Sequence, residues 1–487
     1  MALAGLLLII TYLLKLNASL KYAPKEAQEL TPAPWTPQEI QETYERVKEE
    51  PFDWKPHLPP KLKRRYVVVG GSGMVGGDLV HLLLLQGHSP DDIRILDLRS
   101  PLRRDMSFPP ANKVDFVKTD ISSPGSLKAA FSKPWPAGVS KLPLTVFHTA
   151  ALIRSEERHP IFYPRVAAIN VGGTRNVLEA AAEASASIFV ATSSASIAVR
   201  PAQLWSGGLP WVKHGKDYMQ VYGEEDFSKP MRPHDQFFGN YAVSKAAAER
   251  LVCAANSPAF RTGCIRPANV VYGEINDTFV GVCLRIEVFP SWIPKYVQNF
   301  VSSKNVGLGH LQLEAALAQK GDMPLCAGRP FNISDPNPPI PFCYFYDTAA
   351  QLAETTFKVS FPPPAPLFIL ANIIEAYCVA LAKYPLLTRL GLREPAGSVH
   401  QLQPATFFVS ANLVASNVEA RKPVAEGGLG YRGGITTLQG FCEEILEWNK
   451  VHGKPYSRIN NRDEEGKSSR VVKSVEAAGA MAGGAGA

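Results

Sequence analysis

The stretch "YAVSKAAAERL" at 241–251 places Lys245 four residues after Tyr241, and on a helix those two positions share a face. The pair suits proton transfer at an alcohol. A free phenol has a pKa near ~10 and is a poor base at neutral pH; a neighbouring ammonium together with a positively charged ring bound beside it favours its phenolate and draws that value toward the working range. Spacing alone decides little. Among 16 tyrosines, Tyr-x-x-x-Lys arises by chance about once. A second copy, Tyr44 and Lys48 in "YERVK", shows this, and the surrounding sequence must say which pair does chemistry.

A glycine-rich turn supplies that context. In "VVVGGSGMVGG", Gly70, Gly73 and Gly76 lie three residues apart between an apolar run that reads as a strand and one that reads as a helix. The first permits a tight turn, the second lets backbone approach a pyrophosphate, and the third lets the helix pack close to the sheet. The free N–H groups of the helix start, with Met74 and Val75, then meet phosphate. An acid ~20 residues further completes the pattern. That acid is Asp97, ending a second predicted strand, "IRILD". Its carboxylate would bind both ribose hydroxyls of NAD and repel the 2′-phosphate of NADP. Arg99 and Arg103 weaken that preference without reversing it.

The elements that must position these residues follow from periodicity. Short apolar runs at "RYVVV", "IRILD", "VDFVK", "LTVFH", "SIFVAT" and "GCIRPANVVYG" alternate with helical stretches such as 161–185 and 241–256. Such alternation implies a doubly wound, parallel α/β sheet of Rossmann type, with a smaller C-terminal substrate-binding region. The expected organisation is an N-terminal anchor and Pro-rich linker over 1–60, a nucleotide-binding domain over 61–275, a substrate-binding region with some returning strands over 276–455, and a disordered tail over 456–487. A length of 487 residues, 46% hydrophobic and 20% charged, is ample for such a core. The net charge of +7 is spread along the chain. With no zinc-finger or RNA-recognition spacing, neither a nucleic-acid partner nor a metal site is expected. Seven cysteines form no Cys-x-x-Cys pair, which favours a reducing compartment.

Taken in order, these motifs resemble the short-chain dehydrogenase/reductase superfamily, whose glycine spacing is the one found here. "KTDISS" resembles the family's segment at the adenine, which implies contacts from Asp120 and Ile121. "VFHTAAL" resembles the segment beneath the cofactor, including Ala150, and "IRPANVVYG" implies that Pro267 lies beside the nicotinamide. "YAVSK" falls where the family keeps its catalytic pair, which selects Tyr241 over Tyr44. "ATSSAS" falls where it keeps a serine that holds the substrate oxygen; the resemblance points to Ser194, with Ser193 as the alternative. "NVGGTRNVLEAA" resembles the helix whose asparagine, here Asn170, supports the lysine through water. His148 reads as a satisfied structural histidine. One departure stands out: Ser194 and Tyr241 are 47 residues apart, longer than the superfamily pattern, and the intervening stretch 200–237 is expected to shape or lid the site.

Within the superfamily the chain resembles the 3β-hydroxysteroid dehydrogenase family, including its sterol 4α-carboxylate 3-dehydrogenases (decarboxylating), through "ILDLRSP", "VQNFVSSKNVGLGHLQLEAAL" and "ATFFVSANLVASNVEARKPVAEGGLGYRGG". The loop after "VVYG" departs from that family's usual Gly-Pro-Gly-Asp. The resemblance implies NAD-dependent oxidation of a 3β-hydroxyl on a sterol or related terpenoid, with decarboxylation where the adjacent carbon bears a carboxyl group. Two alternatives remain open on the residues alone: a nucleotide-sugar epimerase or dehydratase, which shares every cofactor motif, and a non-catalytic NAD-binding membrane scaffold. Residues 340–395, rich in Phe, Leu, Ile and Tyr, favour a greasy ligand over a diphosphate.

"MALAGLLLIITYLL" reads as an uncleaved membrane anchor, with a buried helix as the alternative; Lys15, Lys21 and Lys25 would keep the main domain cytosolic. The family implies the endoplasmic reticulum membrane. A second apolar stretch, 366–382, reads first as a core helix, then as a membrane-dipping helix or a pocket wall. A homodimer through the helix bearing Tyr241 is expected by fold analogy.

Overall fold

The computed structural model describes residues 2–453, so the tail expected over 456–487 lies outside the described residues. Seven strands form the central parallel sheet, in the order Pro330–Ile333, Arg261–Pro267, Ala186–Thr192, Leu144–His148, Arg65–Val69, Ile93–Asp97 and Asp115–Lys118. Helices cover both faces, which is why an inner strand such as Arg65–Val69 is a near-continuous apolar run rather than an alternating one. Tyr66, Val67, Val68 and Val69 are all buried. Met74–Leu85 and Ser303–Leu317 pack together on one face, and Pro124–Ser132, Thr174–Glu183 and Asn240–Ala254 form the layer on the other. This is the doubly wound α/β sheet expected from the alternation of strands and helices.

From Arg65–Val69 the chain moves outward to 93–97 and 115–118, then crosses back to 144–148 on the other side. Strand order reverses between Arg65–Val69 and Leu144–His148, whose carboxyl ends are in register at Val69 and His148. A crevice opens at such a reversal, outside the strand ends, and ligands of this fold class sit there.

A second sheet orders Met219–Tyr222, Asn412–Ala415, Val297–Gln298 and Ile340–Pro341. Its first strand belongs to 200–237, the stretch expected to lid the site. Part of that stretch is pinned beside the sheet. Arg266 is wholly buried, and a buried guanidinium requires carboxylates around it; Asp226 supplies one, at 2.8 Å, so the segment is tied down beside the sheet. Within the C-terminal region, Phe279, Phe300, Phe342, Phe345 and Phe441 stack on one another with centroids between 4.8 and 6.3 Å apart. The aromatic wealth that favoured a greasy ligand is in part this closed core.

The proline-rich stretch 22–60 carries the helix Pro37–Glu49, which opens on a Thr36–Glu39 capping box with proline in its first turn. It is a packed strap rather than a free linker: Ile40, Thr43, Tyr44 and Val47 are buried, and the helix lies against Thr437–His452. The N-terminal apolar run forms the helix Ala2–Ser19, exposed along most of its length but buried at Leu16 and Ser19. Pro364–Lys383 buries Phe368, Ala371 and Ile374 while leaving Leu370 and Ile373 bare. It is therefore a half-exposed helix, not the enclosed core helix placed first among the readings of that stretch.

Candidate functional site

One cavity occupies the crevice. Gly70, Gly73, Met74, Val75 and Gly76 from the glycine turn, Asp97 after the second strand, Asp120 and Ile121 after the third, Ala150 after the fourth, Tyr241 and Lys245 from the helix Asn240–Ala254, and Pro267 from the sixth in chain order all line it. Gly70 adopts φ +86°, and a Cβ there would come within 2.5 Å of the Ala150 backbone nitrogen, so any other residue would push the two strand ends apart. At Gly73 an added Cβ would meet only the Gly70 carbonyl, at 3.3 Å; its open side faces the cavity. No side chain caps the helix that starts at Met74, so its first N–H groups stay available to an anion.

The Asp97 carboxylate is fixed by the same turn: it accepts the Ser72 N–H at 3.1 Å and the Arg99 N–H at 3.4 Å. Arg103 is spent elsewhere, donating to Asp78 at 2.5 Å, to Asp105 at 2.6 Å and to the Met74 carbonyl at 2.7 Å. It is thus withdrawn from the role of gripping a 2′-phosphate, which sharpens the choice of NAD over NADP. Asp120 accepts the Ser122 N–H and hydroxyl at 2.8 and 2.7 Å, and these bonds hold its carboxyl below the usual range.

Tyr241 is almost fully buried. Burial pushes its phenol up to about 12, while a hydrogen bond with Ser194 pulls the other way. The Lys245 ammonium donates to the Thr192 carbonyl at 2.6 Å, and burial lowers it to about 8, opposed by Cys264 and Glu249. The protein alone therefore keeps the phenol protonated at neutral pH. Desolvation outweighs the neighbours until a further positive charge enters the cavity.

The two candidate serines differ in setting: Ser193 lines the cavity and Ser194 does not, but Ser194 is the one that acts on the Tyr241 phenol. Ser194 Oγ meets Ser196 Oγ at 2.7 Å as well as the Tyr241 phenol. Ser193 Oγ instead donates to Glu249 at 2.6 Å, and Glu249 holds Arg266 at 2.6 and 2.7 Å, which makes Ser193 part of a buried ion-pair network. Asn170 sits in a one-turn π-helix, Ala168–Gly173. Its side chain is bonded to both backbone groups of Leu152 and, at 3.0 Å, to Ser244 Oγ. These bonds tie the segment under the cavity to the Tyr241 helix without touching Lys245. His148 bonds the Thr174 hydroxyl at 2.9 Å, and burial lowers it to about 3, so its ring is neutral. Tyr44 lies elsewhere: its hydroxyl accepts from Asn449 Nδ2 at 3.0 Å in the strap contact.

Sequence reasoning missed Thr192, Glu249 and Arg266. Thr192 acts through a carbonyl, which side-chain identity does not report. Glu249 lies one helical turn beyond Lys245 on the same face, a spacing visible in "SKAAAE", but its partners come from distant strands. The expected homodimer meets a covered surface: Arg250 of the Tyr241 helix donates to the Lys229 carbonyl at 2.6 Å and lies over Phe227, so the inserted stretch occupies that side.

A parallel doubly wound sheet, a Gly-x-x-Gly-x-x-Gly turn at its switch point and a Ser-Tyr-Lys constellation beside it define a dinucleotide-binding oxidoreductase fold. Residues 67–356 match the 3-beta hydroxysteroid dehydrogenase/isomerase family, and the chain belongs to that family. It is 28% identical to human sterol-4-alpha-carboxylate 3-dehydrogenase, decarboxylating, over 58% of this chain and 65% of that protein. It is 30% identical to the 3-beta-hydroxysteroid dehydrogenase of Mycolicibacterium neoaurum, over 50% of this chain and 56% of the relative. The matched segments thus span somewhat less than two thirds of each relative's length. Among solved structures, MoeE5 in complex with UDP-glucuronic acid and NAD superposes with a TM-score of 0.50 at 19% identity, covering 79% of this chain and 99% of that one; this likeness concerns the fold.

Proposed function

We propose that the protein is an NAD-dependent oxidoreductase that oxidises the 3β-hydroxyl of a sterol or related terpenoid. The observation that carries this reading is that Tyr241 and Lys245 line the same cavity as the glycine turn and Asp97. The donor set fits a dinucleotide: uncapped helix N–H groups for the pyrophosphate, Asp97 for ribose hydroxyls, Asp120 and Ile121 at the adenine end, and Ala150 and Pro267 at the nicotinamide end. Bound there, NAD would supply the two-electron acceptor for the carbinol hydride and a positive ring.

Ser194 holds the substrate oxygen by donating its hydroxyl. Tyr241, once ionised, takes the alcohol proton as the C–O bond becomes a carbonyl. Lys245 carries the charge that favours the phenolate, and the Thr192 carbonyl aims it. Asn170 keeps the segment beneath the cavity and the Tyr241 helix in fixed relation. Where the substrate bears a carboxyl group on the adjacent carbon, the product is a β-keto acid. Its C–C bond then breaks to release carbon dioxide, with Ser194 and Tyr241 as hydrogen-bond donors to the enolate oxygen. Family membership and the sterol-acting names of both relatives support the substrate class. The apolar, largely exposed helix Ala2–Ser19 supports action at a membrane; the endoplasmic reticulum, with the catalytic domain in the cytosol, is our reading of which one.

Purified protein should form NADH with 3β-hydroxysterols and release carbon dioxide only from those carrying a 4-carboxyl group. NADH without carbon dioxide from the carboxylated sterols would remove the decarboxylating step, and turnover of UDP-sugars alone would transfer the site to the sugar-acting branch of the fold.

A further inference from the structure

Three segments distant in sequence meet on one side of the molecule. The N-terminal helix Ala2–Ser19 packs against the turn Leu204–Gly208 and against Pro364–Lys383. Its hold is specific. The Tyr12 hydroxyl donates to the Trp205 carbonyl at 2.7 Å, and the Lys15 ammonium to the Pro210 carbonyl at 3.3 Å. Asn17 Oδ1 accepts the Ala365 N–H at 3.3 Å, and Trp205 packs in a tilted pair with Phe368, centroids 4.6 Å apart. Gly207 and Gly208 make room, because a side chain at either would collide with Ser19 or Tyr12.

The outward side of this assembly is apolar and bare. Leu3 and Leu8 on the first helix, Trp211 on the inserted turn, Ile373 on the third segment, and Leu386 and Leu390 just after it are each at least 60% exposed. Soluble surfaces rarely leave so many large apolar side chains together without a partner. Charge says which partner. Residues 2–25, 204–216 and 361–393 contain eight lysines and arginines against one acid, Glu375, with Glu26, Asp217 and Glu394 directly after them; Glu375 is neutralised by Arg158 through two bonds of 2.7 Å and Glu394 by Arg165 at 2.6 Å, so the balance stays basic. Apolar side chains with tryptophan at the edge and lysine or arginine around them match the interface of an anionic bilayer.

We propose that the helix Ala2–Ser19, the turn 204–211 and the helix Pro364–Lys383 form one composite platform that seats the protein on an anionic lipid leaflet. The stretch Ala2–Thr11, exposed throughout, rises about 15 Å, half the hydrocarbon thickness, so it enters one leaflet. The remainder of that helix is clasped to the body, and Pro364–Lys383 lies with only its outer face in lipid. Two of the three segments fall outside residues 67–356, the part matched to the family model, and the third is in the inserted stretch. It also touches the site: Arg158, which anchors the third helix, ends the loop whose Ile153 lines the cavity.

Flotation of the full-length protein with vesicles of phosphatidylcholine, with and without phosphatidylserine, tests the platform. Leu8→Glu, Trp211→Ser and Ile373→Glu, each at an exposed position, should each weaken partitioning about tenfold or more. Lys213→Glu with Lys216→Glu should weaken it at least about tenfold on the anionic vesicles alone. Unchanged melting temperatures would show that the variants fold. If only Leu8→Glu matters, the N-terminal helix acts alone and the platform is overturned. If the variants turn an oligomer into a monomer while flotation persists, the face is a protein contact and the proposal fails equally. Tyr241→Phe should float like the parent, so loss of the redox reading and loss of this one are distinguishable.

Discussion

Two helices carry the same Tyr-x-x-x-Lys spacing, and they differ in everything the spacing does not encode. In Pro37–Glu49, Tyr44 points into a helix–helix contact and bonds an asparagine, while Lys48 reaches Glu45 in the solvent at 3.4 Å. In Asn240–Ala254, Tyr241 bonds a serine at the edge of a nucleotide-shaped crevice, and Lys245 is buried against a strand carbonyl. Burial raises both phenols. What distinguishes the second is access to a cavity that can admit a positive charge. Catalytic competence resides in the sheet that backs the helix rather than in the pair itself.

The largest effect expected from this contrast is at Tyr241. Tyr241→Phe should lower kcat by about 10³-fold or more with dinucleotide affinity kept, whereas Tyr44→Phe should leave kcat within about twofold. Steady-state NADH formation beside a binding titration checks both, and similar losses at the two positions would break the comparison. Lys245→Met should cost about 10²-fold and move the rise of oxidation rate to higher pH, since the phenol loses its cationic neighbour. The same variant has a stability signature. The native lysine titrates at about 8 against an ordinary 10.5. The unfolded chain therefore binds more protons between those values, and the parent gains stability relative to Lys245→Met as pH climbs from 8 to 10.5. Thermal melts across that window should show the gain.

Next in size, Ser194→Ala should cut kcat by about 10²-fold. Ser193→Ala should spare kcat and lower stability by about 1–3 kcal/mol, because a buried acceptor on Glu249 loses its donor. Denaturant melts and turnover together separate the two serines. Tyr44→Phe closes the series, with about 1 kcal/mol of lost stability from the Asn449 bond.

What the sequence made legible was local or periodic. The glycine turn is written in consecutive residues, and strand and helix alternation gave the sheet and, with six motifs in order, the family. The site was harder in proportion to how far its parts travel. Ser194 could not be separated from Ser193 without knowing that Glu249, on a different element, claims the latter. The phenol's acidity was legible only in part, because the spacing shows an ammonium four residues away but not the desolvation both groups share. The second sheet was invisible for another reason: strands such as Val297–Gln298 and Ile340–Pro341 are two residues long, too short to show any period. The strap was read as linker because proline density signals irregular backbone without saying whether it is packed.

That strap has a consequence for how the chain is made. Its Tyr44 finds Asn449 only 405 residues later, and at ribosomal speeds that interval is roughly 20–80 s. Until the helices Cys343–Leu352 and Thr437–His452 emerge, the greasy stripe of Ile40, Tyr44 and Val47 has no mate, while the sheet between can already assemble. A nascent polypeptide of this kind invites chaperone attention at its leading end, and its last helix acts as the latch that releases it.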